Sequence, residues 1–171
     1  PLSLEETGLA AQAVREHIGA DGRWRFASIE LQEPSKDVVA GFSRGDSIDR
    51  VAHVICWNCE DGKAYRAHVA LADSSVTWET LPDGTQPNMT VDEFHDCDEA
   101  LRKDARLVEA LRARGITDMD LVIVDVWNYG PHLIPEAYRG RRLGWVDLWY
   151  RGSPEANPYA NPVNGLHGIV D

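Results

Sequence analysis

Cys56-Trp57-Asn58-Cys59 is the densest group of reactive side chains in this 171-residue chain. A C-x-x-C can be a redox pair or half of a zinc site. A redox pair wants its first sulfur at a helix N-terminus, where the thiolate is stabilised. Here a strand-like run over 48–57 delivers it into a hairpin signal instead. A zinc site needs about two more ligands close by, and the sequence offers no second C-x-x-C and no paired histidines. Two unlinked cysteines near a strand end are the reading that remains. The six histidines, His17, His53, His68, His95, His132 and His167, are scattered. His17 falls on the apolar face of a helical pattern and reads as a partly buried, satisfied ring, not a ligand. Asp125 and Asp147 would make an acid/base pair only if the fold set them about 5–10 Å apart across a cleft. Nothing in their spacing does so, and they read as strand-end and sheet-surface carboxylates. Nucleophile-elbow, P-loop and dinucleotide fingerprints are absent. No catalytic constellation is expected within these residues.

The elements around these residues come in two similar series. Ser3-Leu4-Glu5-Glu6 is a capping box, with a hydroxyl for the first free N–H groups and a glutamate three residues on to reach back. The helix after it runs to about Ile18, with Ala10, Val14, His17 and Ile18 on one face and Gly19 as the stop. Strand-like runs follow at 24–31, 48–57, 63–71 and 75–81, with a connection over 34–42. Glu60-Asp61-Gly62 and Ala72-Asp73-Ser74 mark tight turns. Pro82, Gly84 and Pro87 punctuate a linker. Thr90-Val91-Asp92-Glu93 then repeats the box. Its helix carries Cys97, Leu101, Leu107, Val108 and Leu111 inward, restarts near Asp104 and ends at Gly115. Strands are predicted at 121–127 and 143–150, separated by a long loop over 128–140, and a last one begins near Leu166.

The two boxes lie 87 positions apart, from Ser3 to Thr90, and at that offset Ala13-Val14-Arg15 meets Ala100-Leu101-Arg102. This reads as a duplicated architecture of two α+β domains, each a helix laid on an antiparallel sheet, at residues 1–86 and 87–171. The first has four strands and the second three, with a fourth expected past Asp171.

A net charge of -11 removes the basic footprint that nucleic acid or an anionic membrane surface requires. With 43% hydrophobic and 26% charged residues the chain is globular and not disordered. It has no apolar run near the ~20 residues of a membrane span. Three cysteines are an odd set, which favours a reducing compartment and a cytoplasmic location over a disulfide framework.

The prolines before the last strand are Pro154, Pro158 and Pro162, each fixing its own φ and extending its predecessor. The run Asn157-Pro158-Tyr159-Ala160-Asn161-Pro162-Val163-Asn164-Gly165-Leu166 resembles the N-P-Y-A-x-P-[IV]-x-G-[LV] run of copper amine oxidases. So do FASIELQEP over 26–34, the Y-x-A-x-V-x-L pattern over 65–71 with Trp78-Glu79, Asp120-Leu121-Val122, and Val124-Asp125-Val126-Trp127. The resemblance is to the bacterial and fungal branch, with tyramine-, phenylethylamine- or histamine-type substrates. It implies two cystatin-like accessory domains, N2 and N3, the second truncated at its last strand, with the catalytic domain absent. The parent it implies is a homodimer that oxidises a primary amine with copper and topaquinone, and this region packs on the parent's own catalytic domain. Neither group is expected to bind here. The family's copper-site H-x-H pair is missing, and Tyr129, followed by Gly130, breaks the N-Y-[DE] setting of the quinone precursor, so it reads as a loop aromatic.

In the resembled family N3 lines the mouth of the funnel to the buried quinone. The matching positions are Phe94, Val126 with Trp127, and Tyr159. Flat apolar walls suit arylalkyl amines, and aromatic faces also attract a cation. The competing reading makes Phe94 and Trp127 packing residues and the whole chain a free-standing binding module. The sequence departs from the family at Asn164, commonly acidic, and in its long loop over 129–140.

Overall fold

The computed structural model describes residues 1–130 and 133–171, so Pro131 and His132 lie outside the described residues. The chain divides into two compact units, Pro1–Pro87 and Asn88–Asp171. Both are helix-on-antiparallel-sheet structures of the α+β class.

In the first unit, α1 (Leu4–Ile18) starts at a complete capping box. The Glu6 amide donates to Ser3 Oγ at 3.1 Å and the Ser3 amide donates to Glu6 Oε2 at 2.7 Å. The helix ends where Gly19 turns left-handed at φ 59°, a conformation glycine adopts without Cβ strain. Strands β1 (Trp24–Leu31), β2 (Val51–Asn58), β3 (Lys63–Ala70) and β4 (Val76–Thr80) form a meander in that order, bent by a bulge between Phe26 and Ser28. A short helix, α2 (Lys36–Gly41), fills the 34–42 connection. Ala10, Ala13 and Val14 of α1 pack on Ala52, Val54, Cys56, Ala67 and Val69, and small residues on both layers bring helix and sheet close. Trp24, Tyr65 and Trp78 close one end of this core, with ring centroids 5.1–5.7 Å apart.

In the second unit, Thr90 and Glu93 form the matching box at the start of α3 (Val91–Lys103). Asp104 ends α3 and caps α4 (Ala105–Arg112) through its side chain, because one carboxylate accepts from the Arg106 amide at 2.8 Å. A 3-10 turn, Met119–Leu121, takes up the residue expected to open the strand, so β5 runs Val122–Asn128 and pairs antiparallel with β6 (Gly144–Tyr150). Two short strands lie on the other edge of β6, and only the second follows Leu166, where a single strand is expected. These are β7 (Asn161–Pro162) beside Trp149 and Tyr150, and β8 (Gly168–Val170) beside Gly144 to Val146. Proline at 162 has no N–H to donate, and a left-handed Gly165 breaks the run. The core joins Cys97, Leu107 and Leu111 to Val122, Val126, Val146, Leu148 and Val163. Gly144 is required there: a Cβ at that position would stand 2.8 Å from Val126 Cγ1 and 3.2 Å from Met89 Cε.

Among the described residues no helix is long and apolar enough to cross a membrane.

Candidate functional site

Strand alternation decides what the second unit shows on the side away from its helices. Val122, Val124, Val126, Val146 and Leu148 point into the core. Ile123, Asp125 and Trp127 of β5 and Trp145, Asp147 and Trp149 of β6 therefore share the outer face. The register sets Trp127 opposite Trp145, which in turn faces Ile169; Asp125 stands opposite Asp147, and Ile123 opposite Trp149. Trp127 is 58% exposed and Ile169 43%. Rings from the flanking loops extend the face. Tyr129 meets Trp145 edge-on at 5.5 Å, His167 lies against Trp145 at 5.0 Å, and Tyr159 meets Trp149 edge-on at 5.4 Å. A cleft of about 410 Å³ opens at one end, lined by Trp127, Asn128, Tyr129, Gly130, Leu133 and Trp145.

The polar groups here are tied to the aromatic ones. Asp147 Oδ1 accepts from Trp145 Nε1 at 3.1 Å and lies 3.1 Å from His167 Nδ1. Asp125 and Asp147 are cross-strand partners, a proximity their separation of 22 positions conceals. One carboxylate is occupied by an indole and an imidazole on an open sheet face, which is an orienting role and not an acid/base pair across a cleft. The Tyr159 loop is stiffened locally. Asn157 Oδ1 accepts from the Tyr159 amide at 3.0 Å, and Asn161 Nδ2 donates to the Tyr150 carbonyl at 2.9 Å.

The four residues expected at a channel rim fall on three different surfaces. Trp127 and Tyr159 share the outer face but not a spot: their partners Trp145 and Trp149 are four positions apart, about 13 Å along a strand. Tyr159 is 51% exposed. Phe94, 38% exposed, sits on the first turn of α3, in the layer on the opposite side of the sheet. Val126 lies in the core. It is 2% exposed and its side chain fills the core under Gly144, because it alternates inward while Trp127 alternates outward. Sequence reading set Tyr129 aside and passed over Trp145, Trp149 and His167. The signal that could have found them is the period-two run Trp145-x-Asp147-x-Trp149, which places two indoles on one face of a strand.

The three thiols lie apart in the fold. Cys56 is buried in the first core, and burial pushes its thiol up to about 12. Cys97 is buried in the second and is also raised, first by burial and then by Glu93 and Asp96. Cys59 is exposed on the turn after β2, and all three are free. His17 is exposed, not partly buried, with its ring 6.1 Å from that of Trp78. It lies one turn beyond Ala13, at the margin of the apolar stripe, while its neighbour Ile18 still packs on the core. Among the described residues no group of three or more His, Cys, Asp or Glu side chains could hold a metal ion.

Comparison with known proteins places this face in context. Residues 92–171 match the family described as copper amine oxidase, N3 domain. A primary amine oxidase of Arthrobacter sp. (strain P1) is 34% identical over 172 residues, spanning 100% of this chain and 26% of that protein. The peroxisomal N-methylputrescine oxidase 1 of Nicotiana tabacum is 36% identical over 210 residues, with 100% and 26% covered. Among solved structures, a copper-containing benzylamine oxidase from Hansenula polymorpha superposes with a TM-score of 0.62 at 19% identity, over 94% of this chain and 26% of that one. That likeness shows the fold. The chain spans about a quarter of the length of the relatives it matches.

Proposed function

Residues 92–171 are a copper amine oxidase N3 domain, and from that premise we propose that the chain is the accessory region of a primary amine oxidase. The parent converts a primary amine, O2 and water to an aldehyde, ammonia and hydrogen peroxide, and is a homodimer. The outer face of the second sheet packs on the parent's own catalytic domain, and its exposed aromatics border the route of the incoming amine. The observation that carries this reading is the unpartnered aromatic face itself. Trp127, Trp145 and Ile169 stand side by side across three strands, with Trp127 and Ile169 well exposed. Large apolar surfaces of this kind mark interaction sites.

The relatives' names attach copper to the family, and the parent would use it with a tyrosine-derived quinone. The described residues do not fit a copper centre of three or more protein ligands. Metal and quinone belong to the remaining three quarters of the parent. The chain's own part is positional. Trp127, Tyr129 and Trp145 offer flat apolar walls and π faces to a protonated arylalkyl amine. Tyr159 and Phe94 stand at other points of the mouth, and Val126 supports Trp127 from beneath.

The test uses the complete oxidase. Trp127→Ala and Tyr159→Ala are each expected to lower kcat/KM for a bulky arylalkyl amine relative to methylamine. The change should be a few-fold to roughly tenfold, the size of one lost aromatic contact. Copper content and quinone formation stay normal. An unchanged ratio in both variants would overturn the rim assignment.

A further inference from the structure

The outer face of the first sheet holds a histidine pair that the sequence hides. His53 of β2 and His68 of β3 are fifteen positions apart yet are direct cross-strand partners, with ring centroids 5.3 Å apart. They alternate away from the core, since Ala52, Val54, Ala67 and Val69 on either side of them are buried. Both residues are half-buried. Glu30 of β1 is the cross-strand partner of His53 on its other side, so Glu30, His53 and His68 form one row across three strands.

This spacing is the one a chelating imidazole pair requires. An imidazole nitrogen binds a metal at about 2.0–2.1 Å, and at a roughly tetrahedral angle two such rings have centroids about 5 Å apart. The observed pair needs only side-chain rotation on a backbone that two ladders of hydrogen bonds hold still. Its other neighbours leave the rings free. Arg66, next along the outer face of β3, is turned to Glu79 at 2.9 Å. Thr77, opposite His68 on β4, is uncharged.

We propose that His53 and His68 chelate a divalent transition-metal ion on the outer face of the first sheet, as a two-imidazole site. Two imidazoles select borderline metals, and the general affinity order places Cu2+ above Zn2+ and Ni2+. Deprotonated imidazole is the form that binds. Burial, then His68, then Arg66 lower the pKa of His53, with Glu30 opposing, which favours that form. With half the protein ligands of a structural zinc site, the dissociation constant falls at about 1–100 µM. This site is independent of the amine-oxidase reading, which concerns the other unit.

The test is Cu2+ titration of the 171-residue chain in a Cys59→Ser background, which removes the exposed thiol. Binding is followed by electron paramagnetic resonance, and folding by circular dichroism. One equivalent of Cu2+ with nitrogen hyperfine structure is expected. His53→Gln and His68→Gln should each weaken binding at least ~10-fold while the circular dichroism stays native. The proposal is overturned if Cu2+ binds equally well to both histidine variants, or if the parent chain binds none below about 1 mM.

Discussion

The two units share a plan and differ on their outer faces. In both, a box-capped helix covers one side of an antiparallel sheet. On the far side the first sheet shows Glu30, His53, His68, Arg66, Thr77 and Glu79 around Val51 and Ile55, a mostly polar face. The second shows Trp127, Trp145, Trp149, Ile123 and Ile169 around one aspartate pair. The first unit exposes its own large apolar residues elsewhere, at Val38, Val39 and Phe42 around α2. The core sides need the same thing, which is apolar burial. The outer sides are free to diverge, and there the units differ in composition.

The caps repeat the contrast. Glu6 is held by Arg50 at 2.6 Å with side-chain exposures of 25% and 41%, the more open of the two pairs. Glu93 is held by Arg142 with side-chain exposures of only 17% and 14%, and a second bond runs to Glu93 Oε2 at 2.8 Å. Removing one partner of a buried pair strands the other charge, whereas an exposed pair dissolves into water. The largest expected effect is therefore Arg142→Ala, destabilising by about 3 kcal/mol. Arg50→Ala should cost far less, and urea unfolding of both variants checks the ranking. Equal losses would break the comparison.

Acid sharpens it. The hydrogen bond from Arg50 first, and the backbone bond from Ser3 next, draw the Glu6 carboxyl from near 4.5 to about 2. Burial raises Glu93, but Arg142 and Thr90 outweigh it and leave that carboxyl lowered too. Between these values the unfolded chain binds the proton and the folded chain does not. The stabilisation from Glu6 is complete above about pH 4.5 and is lost as pH falls toward about 2. Glu6→Gln should flatten this part of the stability–pH curve.

Next in size is Gly144→Ala. The first unit brings helix and sheet together with alanines on both layers, while the second relies on one glycine under Met89 and Val126. Overpacking there should cost about 1–3 kcal/mol, read as a lower unfolding midpoint. Tyr159→Ala in this chain loses one edge-on contact with Trp149, about 0.5–1.5 kcal/mol by the same measurement. The smallest stability effect belongs to Trp127→Ser, within about 0.5 kcal/mol, because that ring is mostly in water. The same change should reduce binding of a hydrophobic dye. A large loss of stability in its place would make Trp127 a packing residue.

Local chemistry was legible before the fold. Both capping boxes, the restart at Asp104 and the stops at Gly19 and Gly115 depend on residues within four positions of one another. The resemblance lay in contiguous runs, so it too was visible in the sequence. The rest waited on the register. A strand fixes which residues share a face, but only its neighbour fixes which residues meet. His53 with His68, Asp125 with Asp147 and Trp127 with Trp145 and Ile169 are consequences of that pairing. The exposure of His17 and the burial of Val126 depend on how a helix is turned over its sheet and which way one strand is phased. By itself the sequence determined two helix-and-sheet units, their caps and their family likeness, because those follow from near-neighbour hydrogen bonding and apolar period. The tertiary structure alone decided the aromatic face and the histidine pair, because both are assembled from strands distant in sequence and joined through backbone ladders that any side chains could have lined.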